Sequence, residues 1–217
     1  MSVGMKTVGY TKAALRDLRR FGNMADRIRE AVAEYAAETG AHSNNIKPMK
    51  GGSADARRLR VGDFRAVFEE TDTEITVTAV GPRGDNYETM TVQFIKAPGG
   101  ARLAVLPAEE YEDLIDARNH AVAMAAVRAG SMETFTDAEV GEYLAAPSPL
   151  AFFRTRRGLT QAALAKAAGI SQPYLAQIEG GDRTGTLETF AALARVLGVT
   201  IDDLVMNYSR QASGALA

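Results

Sequence analysis

The sequence predicts an α+β chain: a β-α-α-β-β-β domain, a short hairpin–helix connector and an all-α region of five helices. Three observations predict it. Between Arg57 and Val80, three runs alternate apolar and polar residues with a period of two, as strands do. Between Lys12 and Gly40, apolar residues recur at helical spacing. From Pro149 to Met206, short apolar-periodic segments are punctuated by Gly and by Ser or Thr, the marks of capped helices.

Taken in order, KTVGY (Lys6–Tyr10) is a strand, and Thr11 caps the helix KAALRDLRRF. A second helix carries Met24, Ile28, Ala31, Val32 and Tyr35 on one side and stops at Gly40. The loop KPMKGGSADA leads to the strands RRLRV, FRAVFEE and EITVTAV. Phe64, Ala66 and Phe68 share one face of the middle strand; Arg65 and Val67 share the other. VQFIK and RLAVL form a hairpin around APGG, and Pro107 opens a helix through EEYEDLIDARNHAVAMAAV. TDAEVGEYLAA is a shorter helix.

Composition narrows the chemistry. No apolar run among the 217 residues is long enough to span a bilayer, and MSVGMKTVGYTK lacks the apolar core and cleavage site of a signal peptide. A cytoplasmic setting without a membrane partner is expected. The absence of cysteine excludes disulfides, thiolate metal sites and a cysteine nucleophile. His42 and His120 stand in unrelated contexts, so neither a metal nor another cofactor is expected. Charge is unevenly spread. Residues 1–89 carry 14 Lys/Arg against 13 Asp/Glu, residues 104–147 carry 2 against 9, and residues 149–217 carry 7 against 5. A strongly acidic segment therefore separates two slightly basic ones and is suited to cover a basic surface.

The densest pattern is LAFFRTRRGLTQAALAKAAGISQPYLAQIEGGDRTGTLETFAALARVLGVTIDDLV. Thr160 caps a helix that turns Leu164 and Ala165 inward, and Ala168-Gly169-Ile170 is a tight turn. Ser171 caps the next helix, Pro173 fits its first turn, and Leu175 and Ile178 face the core, leaving Gln172, Tyr174 and Gln177 on another face. Leu187, Phe190, Leu193, Ala194 and Leu197 form the stripe of a fourth helix, with Ile201 and Leu204 on a fifth. The segment resembles the Cro and lambda-repressor type of helix-turn-helix domain. The resemblance implies that the helix from Ser171 enters the major groove of operator DNA, and with 7 Lys/Arg against 5 Asp/Glu in residues 149–217 binding is expected to lean on a homodimer rather than on a large basic field. The resemblance further implies that Gln172 pairs with adenine, that Ser171, Tyr174 and Gln177 face base or phosphate, and that Gln161 and Arg183 contact phosphate.

The second constellation is RRLRVGDFRAVFEE with VGPRGDNY. Arg58 and Arg60, two apart on a strand, project from one face; Arg65 lies opposite Phe64 and Phe68; Arg83 and Tyr87 follow the last strand. Converging cations without a carboxylate suit RNA, whose phosphate charge must be neutralised. Residues 3–87 resemble the RelE/ParE toxin superfamily. The RelE side of that resemblance implies cleavage of messenger RNA on the ribosome. Arg65 and Arg83 would stabilise charge on phosphate or the leaving oxygen, and Arg58 and Arg60 would hold the backbone and help proton transfer. Tyr87 would activate the 2′-hydroxyl, with Lys47 and Lys50 as further phosphate contacts. Arg stands where Lys is often used, and Arg is a poor proton carrier, so the set implies binding more firmly than turnover.

Tyr87 is where such a toxin ends, and Met90 opens a segment that reads as a complete antitoxin. The expected division is a toxin domain over 1–89, a hairpin and acidic neutralising or dimerising segment over 90–147, and a DNA-binding domain over 148–217. The acidic helix is expected to lay Tyr111, Leu114 and Ile115 on the toxin while Glu109, Glu110, Glu112, Asp113 and Asp116 meet arginines. The expected whole is a fused toxin–antitoxin autorepressor with a silenced endoribonuclease. The alternatives are a regulator whose toxin-like half is dead and serves oligomerisation, and a ParE-like gyrase inhibitor.

Overall fold

The computed structural model describes residues 6–37, 45–49, 53–82, 93–106 and 108–205. It divides into two compact units, one up to Asp137 and one from Ala138.

In the first unit, β1 (Thr7–Thr11) runs into α1 (Lys12–Arg20), whose first turn is closed by the Thr11 hydroxyl accepting from the Ala14 amide. α2 (Gly22–Ala37) follows, burying Ala25, Ile28, Val32 and Ala36. Next come β2 (Ile46–Pro48), β3 (Ala56–Val61), β4 (Phe64–Glu70) and β5 (Glu74–Pro82). β6 (Gln93–Lys96) and β7 (Arg102–Val105) form a separate hairpin. The acidic stretch is α3 (Ala108–Arg128), and β8 (Thr134–Thr136) closes the unit.

The main sheet has the order β2-β3-β4-β5-β1-β8, with β1 parallel to β5 and its other pairs antiparallel. The alternation of β4 decides what each face holds. Phe64 and Phe68 meet Phe21 and Tyr35 of the α1–α2 layer, with ring centroids 5.1 and 5.6 Å apart. On the opposite face, Val67 packs with Met49, Ala56 and Ala117 of α3, beside Ala79. The sheet is therefore sandwiched: α1 and α2 on one side, α3 on the other. Sequence periodicity anticipated neither β2 nor β8, both three residues long.

Two expectations about buried faces are corrected. Tyr111 and Leu114 are each 57% exposed and Ile115 is half-buried; the fully buried face of α3 is instead Ala117, His120 and Met124. Ion pairs to the sheet, together with the small side chain of Ala117, fix the helix's rotation. Leu187 is 73% exposed. Helical side chains point back toward the N-terminus, so at the first helical position Leu187 lies beyond the helix end.

The second unit is helical: α4 (Asp137–Ala145), α5 (Pro149–Arg156), α6 (Gln161–Ala168), α7 (Gln172–Gly180), α8 (Leu187–Leu197) and α9 (Ile201–Leu204). From Pro149 onward these are the five helices expected. Leu150, Leu164, Leu175 and Leu193 are fully buried at its centre, and Tyr143 packs edge-on against Phe152. Among the described residues, no helix is long and apolar enough to cross a membrane.

Candidate functional sites: a basic sheet face and a helix-turn-helix surface

Strand register assembles the basic face. Lys47 pairs with Arg58, and Arg60 with Arg65, so all four lie on the side of the sheet that α3 crosses. Arg83, Tyr87 and Lys50, expected at the same site, lie outside the described residues. α3 meets two of the arginines directly. Arg58 donates to both carboxylate oxygens of Asp113. Arg65 donates to Asp116 at 2.7 Å, to Glu112 at 3.1 Å and to the Pro82 carbonyl at 2.6 Å. The Arg65 side chain is only 11% exposed. Burial works against its charge, but the hydrogen bonds and charges of Asp116 and Glu112 outweigh that and raise its pKa above the ordinary value. Arg60 and Lys47 are exposed, Arg60 donating to the Gly62 carbonyl. Of the expected carboxylates, Glu112, Asp113 and Asp116 meet arginines among the described residues; the side chain of Glu109 lies outside them.

A second polar contact ties α3 down further along. The β4–β5 register slips between Val67 and Phe68, leaving Thr78 as an extra residue. The Thr78 hydroxyl lies 2.8 Å from Nδ1 of His120 and 3.3 Å from the Val67 carbonyl. His120 is 2% exposed, and its Nε2 finds no hydrogen-bond partner among the described residues, the Glu69 carboxylate lying 3.7 Å away. Glu69 in turn pairs with Arg128 and accepts from Ser53. Burial, aided by the Arg128 charge, holds the His120 pKa below its usual value despite Glu69.

At the far end of the sheet, Arg29 of α2 grips Asp137 twice, Nε to Oδ1 at 2.8 Å and Nη2 to Oδ2 at 2.7 Å. None of these α3 and β8 partners beyond the acidic residues was read from the sequence. His120 stood out there only as an isolated histidine.

In the second unit, the local chemistry matches expectation. The Thr160 hydroxyl accepts from the Ala163 amide and that of Ser171 from the Tyr174 amide; Gly169 takes the left-handed conformation at φ 70°. These features set the angle between α6 and α7. Ser171, Gln172, Gln177 and Arg183 are exposed and Tyr174 is half-buried, with the Arg183 guanidinium 4.8 Å over its ring. Gln161 is turned inward, donating to Glu179 at 3.0 Å. Glu179, 4% exposed, also accepts two bonds from Arg154, at 2.6 and 3.0 Å. That buried triad was missed, because Glu179 read simply as a helix end. Its signal would have been a carboxylate one residue from the core position Ile178.

Comparison with known proteins covers both units. Residues 8–87 match the ParE toxin of the type II toxin-antitoxin system parDE, and residues 150–204 match a helix-turn-helix family. Over 66 residues the chain is 42% identical to the HTH-type transcriptional regulator DdrOP3 of Deinococcus deserti, a match covering 29% of this chain and 51% of that protein. It is 41% identical over 58 residues to the uncharacterized HTH-type transcriptional regulator y4dJ of Sinorhizobium fredii, covering 27% of this chain and 75% of that one. The chain thus spans about half the length of the first relative and three quarters of the second. Among solved structures, the restriction-modification controller protein C.AhdI of Aeromonas hydrophila is 32% identical, with 26% of this chain and 86% of that one covered and a TM-score of 0.26. The chain joins a toxin domain of the ParE family, over residues 8–87, to a helix-turn-helix domain, over residues 150–204.

Proposed function

We propose that this chain is a toxin and its antitoxin in one reading frame. It binds operator DNA as a homodimeric autorepressor and carries a RelE-like messenger RNA endoribonuclease held shut by α3. The observation that carries this reading is the pairing of Arg58 with Asp113 and of Arg65 with Glu112 and Asp116. A carboxylate and a phosphate oxygen ask the same geometry of a guanidinium. The acids of α3 therefore occupy the positions RNA phosphate would take. In the freed domain, Arg65 and Arg83 stabilise charge at the scissile phosphate, Arg58 and Arg60 hold the backbone, Lys47 and Lys50 extend the contact, and Tyr87 activates the 2′-hydroxyl. On DNA, Gln172 reads a base from the start of α7. Ser171, Tyr174, Gln177, Arg183 and the N-terminal end of α6 at Gln161 supply the neighbouring contacts.

The test uses the full chain with Glu112→Gln, Asp113→Asn and Asp116→Asn together, in a translating extract. Message cleavage absent from the parent and present in the variant supports the reading. Cleavage in neither, with Arg65 shown to be accessible, refutes it. The match of residues 8–87 to the ParE family favours a second reading, inhibition of DNA gyrase. Assaying supercoiling with the same variant decides between the two.

A further inference from the structure

We propose that the β1 edge of the toxin-family sheet is a second docking surface, separate from the basic face, that takes an extended segment ending in a carboxylate. The chain's own Thr134–Asp137 occupies it as the anchor that keeps α3 in place. The inference rests on the reading of α3 as the silencing helix.

The edge is built for such a segment. β8 pairs with β1 over Gly9↔Thr136, Tyr10↔Phe135 and Thr11↔Thr134, supplying ladder partners that an uncovered edge strand would lack. Opposed residues share a face, and Tyr10 sits beside Val77, which sits beside Phe68. Phe135 therefore enters the layer covered by α1 and α2, the side opposite α3, and is 1% exposed. The next residue but one completes the fit, because Arg29 holds the Asp137 carboxylate with two donors and its carbonyl with a third contact at 3.0 Å. The buried Tyr10 hydroxyl lies beside the same carboxylate, whose charge and proximity help hold it protonated. The antitoxin-type segment thus grips the sheet from both faces and one edge. Ion pairs alone hold α3 weakly wherever water reaches them, whereas a buried aromatic and a strand ladder come away only together. Removing α3 from the arginines accordingly requires β8 to leave first or with it.

Hydrogen exchange of the full chain, followed by mass spectrometry, tests this without reference to toxin activity. Phe135→Ala and Asp137→Arg should each speed exchange in both β8 and α3 by about tenfold or more, leaving residues 149–204 unchanged as the internal control. Arg29→Asp combined with Asp137→Arg should return most of the lost protection. If Phe135→Ala also loosens β3 to β5, the charge-swapped pair alone decides. Parental exchange in α3 for Asp137→Arg, or no recovery in the swapped pair, overturns the anchor. An inactive toxin domain would undo the function proposed above and leave this result standing.

Discussion

Removing the Asp116 carboxylate should loosen α3 by an amount the geometry sets. Arg65 and Asp116 are 11% and 18% exposed, so the pair lies between an open surface ion pair, worth about 0–1 kcal/mol, and a fully buried one, whose breaking costs about 3–5 kcal/mol. Asp116→Ala does not strand the guanidinium, since Glu112 at 3.1 Å and the Pro82 carbonyl at 2.6 Å remain. The loss should therefore fall between the two bounds and closer to the lower, at about 1–2 kcal/mol, or roughly a tenfold rise in the open population of α3. A cycle of Arg65→Ala, Asp116→Ala and the double variant isolates the pair, with the opening free energy read from amide exchange across α3. The coupling should be about 1–2 kcal/mol and should survive 0.5 M salt in large part, because screening acts less on partly buried pairs. A coupling below about 0.3 kcal/mol would mean that the pair merely decorates a helix held by other contacts, and the proposed occupation of the arginines would lose its energetic basis.

Docking of α3 should also depend on pH through His120. Its docked pKa is depressed below the ordinary 6.5, so its contribution is intact above 6.5 and fades as pH falls below that value; the fading should vanish in His120→Leu. Asp17, pushed by burial to about 6, acts in the opposite sense between its ordinary 3.8 and 6, so the histidine effect is best read as the difference between parent and His120→Leu. Glu179→Ala takes two bonds from the part-buried Arg154 guanidinium, which keeps only the Leu159 carbonyl at 2.9 Å, and should destabilise the helix-turn-helix unit by about 2 kcal/mol, seen as a lower melting temperature by circular dichroism; a shift under about 2 °C would contradict the triad's role. Gln172→Ala should cost about 1–3 kcal/mol at one base position of the operator, whereas Arg183→Ala should weaken all sequences alike and flatten the salt dependence, both measured by titration of labelled DNA.

The parts of this fold that local chemistry dictates were legible in the sequence. Thr11, Thr160 and Ser171 each proved to cap the helix that follows them, and the alternation of FRAVFEE separated Phe64 and Phe68 from Arg65 and Val67. What was not legible depends on partners far along the chain. Thr134–Thr136 is three residues between helices and becomes a strand only because β1, more than a hundred residues earlier, offers an open edge. The rotation of α3 was misread for a related reason. Tyr111, Leu114 and Ile115 look like an inward stripe when the helix is considered alone, but the sheet face awaiting it carries Arg58 and Arg65, and buried charges require partners. His120 was uninterpretable until the slip at Thr78 turned a hydroxyl toward it.

The chain has one boundary in its sequence and another in its structure. Family resemblance ends near Tyr87, yet the compact unit that begins with β1 runs to Asp137 and includes α3 and β8. On the proposed reading of the rest of the chain as antitoxin, that half is divided: its first part completes the sheet of the first unit and its second part holds the helix-turn-helix domain. Production in one reading frame fixes the two halves at one to one, so no change in expression can leave the arginines uncovered. A tether also keeps α3 at an effective concentration of about millimolar beside the sheet. What can expose Arg58 and Arg65 is an event on the protein itself, either proteolysis of α3 or the opening of the contacts that hold it. The barrier to that opening is shared by the carboxylates over the arginines, His120 against Thr78, and Phe135 with Asp137 at the β1 edge. Because these lie on both faces and at one edge of the same sheet, loosening any single one should raise the open population without reaching the fully uncovered state.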